Sequence, residues 1–184
     1  SSRNCKTHCL RRNQIGQRQI VTTTAGKNLS EYNKEQLPDA SEWRFGLVVS
    51  EWNDNITENL FNGAFGALTE NNVSEKNIVR INVPGSFELI SACHKLCSTN
   101  QFDAVIAIGS VIQGETRHFE FICQGVANGI ADLNARFTTP VIFCVLTDDF
   151  LQQSLDRSGG KHGNKGTEAA IAAIKMAALK KASF

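Results

Sequence analysis

The 184-residue sequence lacks a long apolar run and carries almost no net charge. No apolar stretch approaches the roughly 18 residues that a membrane-spanning helix needs, so we expect a soluble protein with no membrane partner. A formal net charge of +1 gives no support for a nucleic acid or another polyanion as partner. The length suits one domain of ordinary size, and the 41% hydrophobic and 20% charged content is typical of a globular protein.

Disulfide and metal frameworks are also missing, although the chain has six cysteines. Four of them lie inside apolar strand or helix patterns, where a free thiol packs as a small hydrophobic group: Cys93, Cys97, Cys123 and Cys144. This placement favours a reducing compartment, and we expect the cytoplasm. Cys5, His8 and Cys9 resemble half of a metal site, but no second ligand pair of suitable spacing follows them, so no metal is expected.

Acidic side chains are absent from the first 30 residues, which carry six basic ones. This composition predicts a flexible basic arm over residues 1–40, followed by the folded domain over residues 41–184. A basic segment without acidic residues is also typical of a transit-peptide remnant. If the arm is such a remnant, the protein would be located in a plastid.

Strand and helix patterns alternate after Pro38. Short buried runs predict four strands, over residues 45–50, 78–83, 104–108 and 141–146. Apolar residues three and four apart predict helices over residues 55–69, 86–98, 119–136 and 149–157, and from a glycine-rich turn at 159–166 to about residue 181. Such alternation predicts an α/β fold of the flavodoxin-like type, a three-layer α/β/α sandwich around a four-stranded parallel sheet.

A parallel sheet brings the carboxyl ends of its strands to one edge, where open α/β sheets bind ligands. Four polar segments are expected there, at residues 51–53, 84–86, 110–118 and 147–149. Each precedes a predicted helix, whose free amides and dipole favour an anion. We therefore expect a ligand that is polar and partly planar, with a phosphate as the favoured anion.

Several side chains at this edge have both a functional and a structural interpretation. Trp52 is either a stacking platform for a flat heterocycle or a cover for the sheet edge. Glu88, three residues after Gly85, either accepts hydrogen bonds from ligand hydroxyls or forms half of a capping box. His118 either transfers protons or is a surface or capping histidine. A nucleophilic pair of His118 with Cys123 is a weaker alternative, because Cys123 belongs to an apolar helix pattern.

The glycine-rich segment GGKHGNKG, residues 159–166, resembles a phosphate-binding loop. It lacks the spacing and the Ser or Thr of a Walker A motif and follows no strand, so no nucleoside triphosphate site is expected. The flanking Arg157 and Lys165 still suit a simple phosphate group.

Five motifs together resemble the 6,7-dimethyl-8-ribityllumazine synthase family: VVSEWN, VPGSFEL, AIGSVIQGETRHFEFI, PVIFCVLTDD and GNKGTEAA. Each motif alone is weak evidence for the family, whereas five motifs in the family's order and spacing are highly specific evidence. The resemblance implies a cofactor-free transferase that joins 5-amino-6-(D-ribitylamino)uracil to 3,4-dihydroxy-2-butanone 4-phosphate with loss of phosphate and water. This is the penultimate step of riboflavin biosynthesis. A non-catalytic binder of lumazine or flavin on the same fold is the alternative.

The resemblance also implies roles for individual residues. Trp52 stacks on the pyrimidine, and His118 is the catalytic proton-transferring group. The pyrimidine and its ribityl chain are bound by Asn53, Ser86, Phe87, Glu88, Ser110, Val111 and Ile112, with Phe143 closing the pocket from a neighbouring subunit. Phosphate groups are bound by Glu115, Thr116, Arg157 and Lys165.

Two positions depart from the family pattern. Glu115 stands where a small residue is common. If backbone amides hold the phosphate, an outward-pointing Glu115 is harmless, whereas an inward-pointing one would repel the anion. Ser86 stands where many members have alanine, which should be tolerated. Because the family forms rings of five subunits, and in some members a hollow icosahedral capsid of twelve rings, we expect a homo-oligomer, either a pentamer or a 60-mer. Riboflavin synthase is the protein partner that the resemblance suggests.

Overall fold

The computed structural model describes Tyr32 and residues 34–183, and within them a four-stranded parallel sheet forms the centre. The strands are β1 (Phe45–Ser50), β2 (Ile78–Val83), β3 (Ala104–Ile112) and β4 (Val141–Asp148). Their spatial order is β2-β1-β3-β4, and every pairing is parallel. Strand β1 is buried along its whole length, as expected for a central strand covered on both faces.

Five α-helices lie within the described residues: α1 (Asp54–Glu70), α2 (Leu89–Ser98), α3 (His118–Arg136), α4 (Leu151–Arg157) and α5 (Lys165–Lys181). A small hairpin of β5 (Ser158–Gly160) and β6 (Gly163–Asn164) joins α4 to α5. Single turns of 3-10 helix occupy Lys34–Gln36 and Glu75–Asn77.

The helices cover both faces of the sheet. Successive strand residues point to opposite faces, so Leu47 and Ile106 pack among α1 and α5, whereas Val48 and Val105 pack among α2 and α3. The two faces therefore have separate apolar cores. The predicted three-layer α/β/α sandwich is confirmed.

Several element boundaries differ from the prediction. Strand β3 continues past Gly109, so Ser110 and Ile112 are strand residues rather than loop residues. The apolar run ends at Gly109, but backbone pairing with β4 continues to Ile112 opposite Asp148. Helix α2 begins at Leu89, three residues later than predicted, because the chain first makes a turn after Val83. The segment 159–166, predicted as a turn, instead holds most of the β5–β6 hairpin, which begins at Ser158, and the start of α5 at Lys165.

The cysteines of the described chain are free and serve as packing groups. Cys93, Cys97 and Cys144 are buried, and Cys123 is half-buried. Burial raises the pKa of the Cys97 thiol to about 11 and that of the Cys144 thiol to about 12. These thiols therefore stay protonated at neutral pH and act as small apolar side chains.

Only the end of the predicted N-terminal arm belongs to the described residues. The Tyr32 hydroxyl accepts a hydrogen bond from Asn71 Nδ2 at 3.0 Å, and Leu37 and Ala40 pack against the core under α1 and α5. The Cys5, His8 and Cys9 group lies outside the described residues. Across Tyr32 and residues 34–183, no helix has both the length and the apolar character needed to cross a bilayer.

Gly166 allows α5 to lie against the backbone of α1, since a Cβ there would overlap the carbonyl oxygen of Leu60. We expect Gly166→Ala to lower the free energy of unfolding by about 3 kcal/mol, because neither backbone can move without disturbing the core. Gly66→Ala is the matched control, because Gly66 lies inside α1 with open space around it. The control should gain about 0.5 kcal/mol from reduced backbone entropy. Urea denaturation measures both, and equal stabilities would contradict the assigned contact.

Candidate active site

A cavity of about 490 Å³ lies at the carboxyl edge of the sheet. The chain leaves β1 for α1 on one face and β3 for α3 on the other, so the connections diverge and leave a crevice between them. Ten of the residues singled out in the sequence line it: Trp52, Asn53, Ser86, Phe87, Glu88, Ser110, Val111, Ile112, Thr116 and His118. We call it the first cavity.

Trp52 and Asn53 form one wall of the first cavity. The Trp52 side chain is 72% exposed, so within one chain it does not cover the sheet edge. Asn53 has a left-handed backbone with φ of 60°, and its Nδ2 donates to the carbonyl oxygen of Ser110 at 3.0 Å. The Trp52 amide donates to the carbonyl oxygen of Pro84 at 3.2 Å. The loop after β1 is thus held on both sides, and the indole presents a free face.

Phe87 and Glu88, in the segment that follows β2, also line the first cavity. Helix α2 begins at Leu89 with Glu88 itself as the N-cap residue, so Glu88 is not the third residue of a helix capped at Gly85 and the capping-box interpretation is wrong; its side chain makes no capping hydrogen bond. Its exposed carboxylate borders the cavity and is free to accept hydrogen bonds. The Phe87 ring lies against Gly125 of α3, where a Cβ would come within 2.9 Å of it.

Two serine hydroxyls are buried in the floor of the first cavity. The Oγ atoms of Ser86 and Ser110 have no hydrogen-bond partner within the described residues. Ser86 Oγ is packed against Gly109, where a Cβ would lie 2.7 Å from it. An unpaired buried hydroxyl costs stability, which a ligand bound in this cavity could offset by pairing with it.

The turn between β3 and α3, residues 113–117, borders the part of the cavity that suits an anion, and we call it the anion turn. The backbone amides of Glu115, Thr116 and Arg117 donate to no acceptor in the described chain, and they stand at the N-terminus of the 19-residue helix α3. Thr116 Oγ1 accepts a weak hydrogen bond from the His118 amide at 3.4 Å. Free amides at a helix start are a favourable site for phosphate.

The side chains next to this turn do not all face the cavity. Glu115 is exposed and lies outside the lining, so its carboxylate does not contact an anion bound in the cavity. Arg117 is exposed and pairs with Glu120 at 3.2 Å. Among the described residues that line the first cavity, there is accordingly no lysine or arginine.

A second cavity of about 530 Å³ follows β4, which is one of the two edge strands of the sheet. It contains the remaining predicted residues, Phe143, Arg157 and Lys165. Phe143 is 43% exposed, and Arg157 Nη1 donates to the carbonyl oxygen of Gln153 at 3.1 Å.

Lys165 is not a free cation, which the sequence analysis missed. Its Nζ donates to both carboxylate oxygens of Glu168 at 2.9 Å. The spacing of three residues on α5 was the signal that could have identified this pair. Within the described residues, Arg157 is therefore the cation of the second cavity that forms no ion pair with a carboxylate.

The two cavities share no lining residue. One chain therefore does not bring Phe143 and Arg157 together with Trp52 and His118. The first cavity has the imidazole and the free amides, whereas the second has the guanidinium.

The alternative nucleophile finds no support in the geometry. Cys123 lines neither cavity, and burial raises the pKa of its thiol, whereas a reactive cysteine needs a lowered pKa. No group of three or more His, Cys, Asp or Glu side chains placed to hold a metal ion occurs among the described residues.

Comparison with known proteins gives a consistent result. A family model described as 6,7-dimethyl-8-ribityllumazine synthase matches residues 42–181. A relative of that name from Christiangramia forsetii is 64% identical over 159 residues, which are 86% of this chain and 95% of the relative. A relative with the same name from Flavobacterium johnsoniae is 64% identical over 85% of this chain and 83% of the relative. Another from Porphyromonas gingivalis is 52% identical over 86% of this chain and 98% of the relative.

The unpaired Ser86 hydroxyl generates a stability prediction. We expect Ser86→Ala to raise the free energy of unfolding of the ligand-free protein by about 1 kcal/mol, because it removes a buried polar atom without a partner. The control is Ser154→Ala, since the buried Ser154 hydroxyl donates to Asp148 at 2.7 Å. That variant should lose about 1–2 kcal/mol. Urea titration compares them, and a destabilised Ser86→Ala protein would contradict the unpaired state of the hydroxyl.

Proposed function

The chain belongs to the 6,7-dimethyl-8-ribityllumazine synthase family, and we propose that its two cavities are complementary halves of an active site shared by neighbouring copies. The protein is an enzyme of the transferase class. It joins 5-amino-6-(D-ribitylamino)uracil to 3,4-dihydroxy-2-butanone 4-phosphate and releases phosphate and water. The product is 6,7-dimethyl-8-ribityllumazine, the precursor of riboflavin.

The distribution of charge supports the shared site. A bound phosphate at the start of α3 meets free amides and the Thr116 hydroxyl, but no lysine or arginine lines that cavity in the described chain. Arg157 lies in the second cavity, at the open edge of the sheet. A head-to-tail contact would place the second cavity of one copy over the first cavity of the next, and such contacts form a ring when the rotation between copies closes. Because the family resemblance implies rings of five subunits, we propose a pentamer, alone or as part of a 60-subunit capsid.

The first cavity suits the pyrimidine substrate. The exposed face of Trp52 offers a stacking surface for the flat ring, and Phe143 of the next copy would close the pocket. The free Glu88 carboxylate is an acceptor for ribityl hydroxyls, and the Ser86 and Ser110 hydroxyls offer further partners after small rotations. Within the described residues, the Glu88 carboxylate and the two serine hydroxyls have no hydrogen-bond partner, which leaves them available to substrate.

The second substrate would place its phosphate at the amides of the turn after β3. Its ketone then lies where the amine of the pyrimidine can attack it. The carbinolamine loses water, phosphate is eliminated, and the ribityl-bearing amine closes the ring on the remaining ketone with loss of a second water. Every stage moves protons, and His118, the first residue of α3, borders the cavity beside the anion turn. Imidazole suits this role because it accepts and donates protons near neutral pH. Holding both substrates in one pocket contributes further acceleration.

Catalysis is favoured over passive binding of a flavin or lumazine. The relatives carry the name of a synthase, and they match nearly the whole domain. A passive binder needs neither an imidazole beside the anion turn nor a second cationic half-site. Mixing the protein with both substrates and following lumazine absorbance tests the proposal directly, and an absence of product would refute it.

His118→Ala should fold normally and lose about a hundredfold or more in turnover, because the proton-transferring group is removed while both binding surfaces remain. His94→Ala is the matched control, since His94 lies on α2 with its ring against Phe137 and lines neither cavity. The control should keep wild-type turnover. Steady-state kinetics at saturating substrates decides, and unchanged turnover in His118→Ala would remove it from the mechanism.

Mixing two impaired variants, at a butanone phosphate concentration below the KM of Arg157→Ala, tests the shared site. Arg157→Ala should raise the KM for the butanone phosphate far more than that for the pyrimidine. When His118→Ala and Arg157→Ala proteins are unfolded together and refolded as an equal mixture, random assembly should restore both groups at about a quarter of the sites. Activity should then exceed the mean of the separately refolded variants. Activity equal to that mean would show that each chain forms its site alone.

A further inference from the structure

Gln113 connects the sheet to the anion turn, and its side chain folds back onto that turn. Its backbone amide donates to the carbonyl oxygen of Asp148 at 2.9 Å, which extends the pairing of β3 with β4 by one residue. Its Nε2 donates to the carbonyl oxygen of Gly114 at 2.8 Å and lies 3.5 Å from that of Thr116. One side-chain amide therefore restrains two peptide groups of the turn from a base anchored on the sheet.

These two contacts determine where the next amides point. In a planar trans peptide the carbonyl and the following N–H point in opposite directions. Because the Gly114 carbonyl faces Gln113, the Glu115 N–H faces away from it, and the same holds for the Thr116 carbonyl and the Arg117 N–H. Neither N–H donates to an acceptor within the described chain. Both therefore lie opposite Gln113, and Gly114 and Thr116 line the first cavity.

We propose that Gln113 is a positioning residue, which holds the turn so that its free amides face the phosphate of the second substrate. This inference rests on the proposed function. Gln113 lies outside the lining of the first cavity, and its Nε2 is engaged by the turn carbonyls, so it acts through the turn rather than on the substrate. Such positioning matters in a cavity for which the described chain provides no cationic side chain. Backbone amides bind an anion well only when several of them point at the same place.

Gln113→Met tests the proposal, because methionine has nearly the same length and no donor. Inorganic phosphate is the probe, and its binding is measured by calorimetry without turnover. We expect its dissociation constant and the KM for the butanone phosphate both to rise about threefold to tenfold, the effect of one lost neutral hydrogen bond. The KM for the pyrimidine should change less than about twofold, since its stacking and hydroxyl partners are untouched.

Gln101→Met is the matched control. Gln101 is an exposed glutamine at the opposite end of the sheet, where its Oε1 accepts a hydrogen bond from Arg44 at 3.2 Å. It should leave phosphate binding and both KM values unchanged. Gln113→Glu should weaken phosphate binding at least as much as Gln113→Met, because a carboxylate cannot donate to the turn and adds negative charge beside the anion.

The outcomes separate this inference from the proposed function. Unchanged phosphate binding in Gln113→Met, an equal rise in both KM values, or no phosphate binding by the wild-type protein would each overturn the role of Gln113. Failure of the wild-type protein to form lumazine would instead overturn the proposed function, and calorimetry would still decide whether Gln113 orients the turn.

Discussion

Parallel pairing of β1 with β3 is the constraint on which the rest of the structure depends. Its register sets Val49 opposite Ile108, so both central strands deliver their chains to the same edge of the sheet. Helix α1 then packs on one face and α3 on the other, and the first cavity lies between the diverging connections. The hydrogen bond from Asn53 to Ser110 spans this gap. A slip of one residue would exchange the faces of the core side chains, so the register is strongly specified.

In the proposed anion site, backbone amides and a cationic side chain both contribute to phosphate binding. Free amides after β3 supply dipoles that require no buried charge in the isolated chain, whereas Arg157 lies in a separate cavity at the β4 edge. In the proposed ring the guanidinium reaches the phosphate only after neighbouring copies assemble. Phosphate binding and assembly would then favour each other, because each supplies contacts that the other lacks. Lys165 contributes little net charge here, since Glu168 neutralises it.

Local patterns predicted much of the fold and of the first cavity. The buried run of β1 and the helical spacing of α3 depend on near neighbours in the chain, and both elements lie where expected. Predictions failed where strand pairing or the geometry of a connecting turn, rather than the local residue pattern, decides the structure. Gly109 interrupts an apolar run without ending β3, because pairing with β4 carries the strand onward. Glu88 has capping-box spacing, yet its chain makes a turn before α2 and its carboxylate stays free.

The sequence by itself determined the alternation of strands and helices, and with it the set of polar segments that meet at the carboxyl edge. Periodicity and helix-start signals are local properties, and parallel strands necessarily end on one side. Only the tertiary structure decided which side chains line the same cavity. It placed Glu115 outside the first cavity and separated Arg157 from His118. Side-chain direction depends on strand register, turn geometry and helix packing, which bring together residues far apart in the chain.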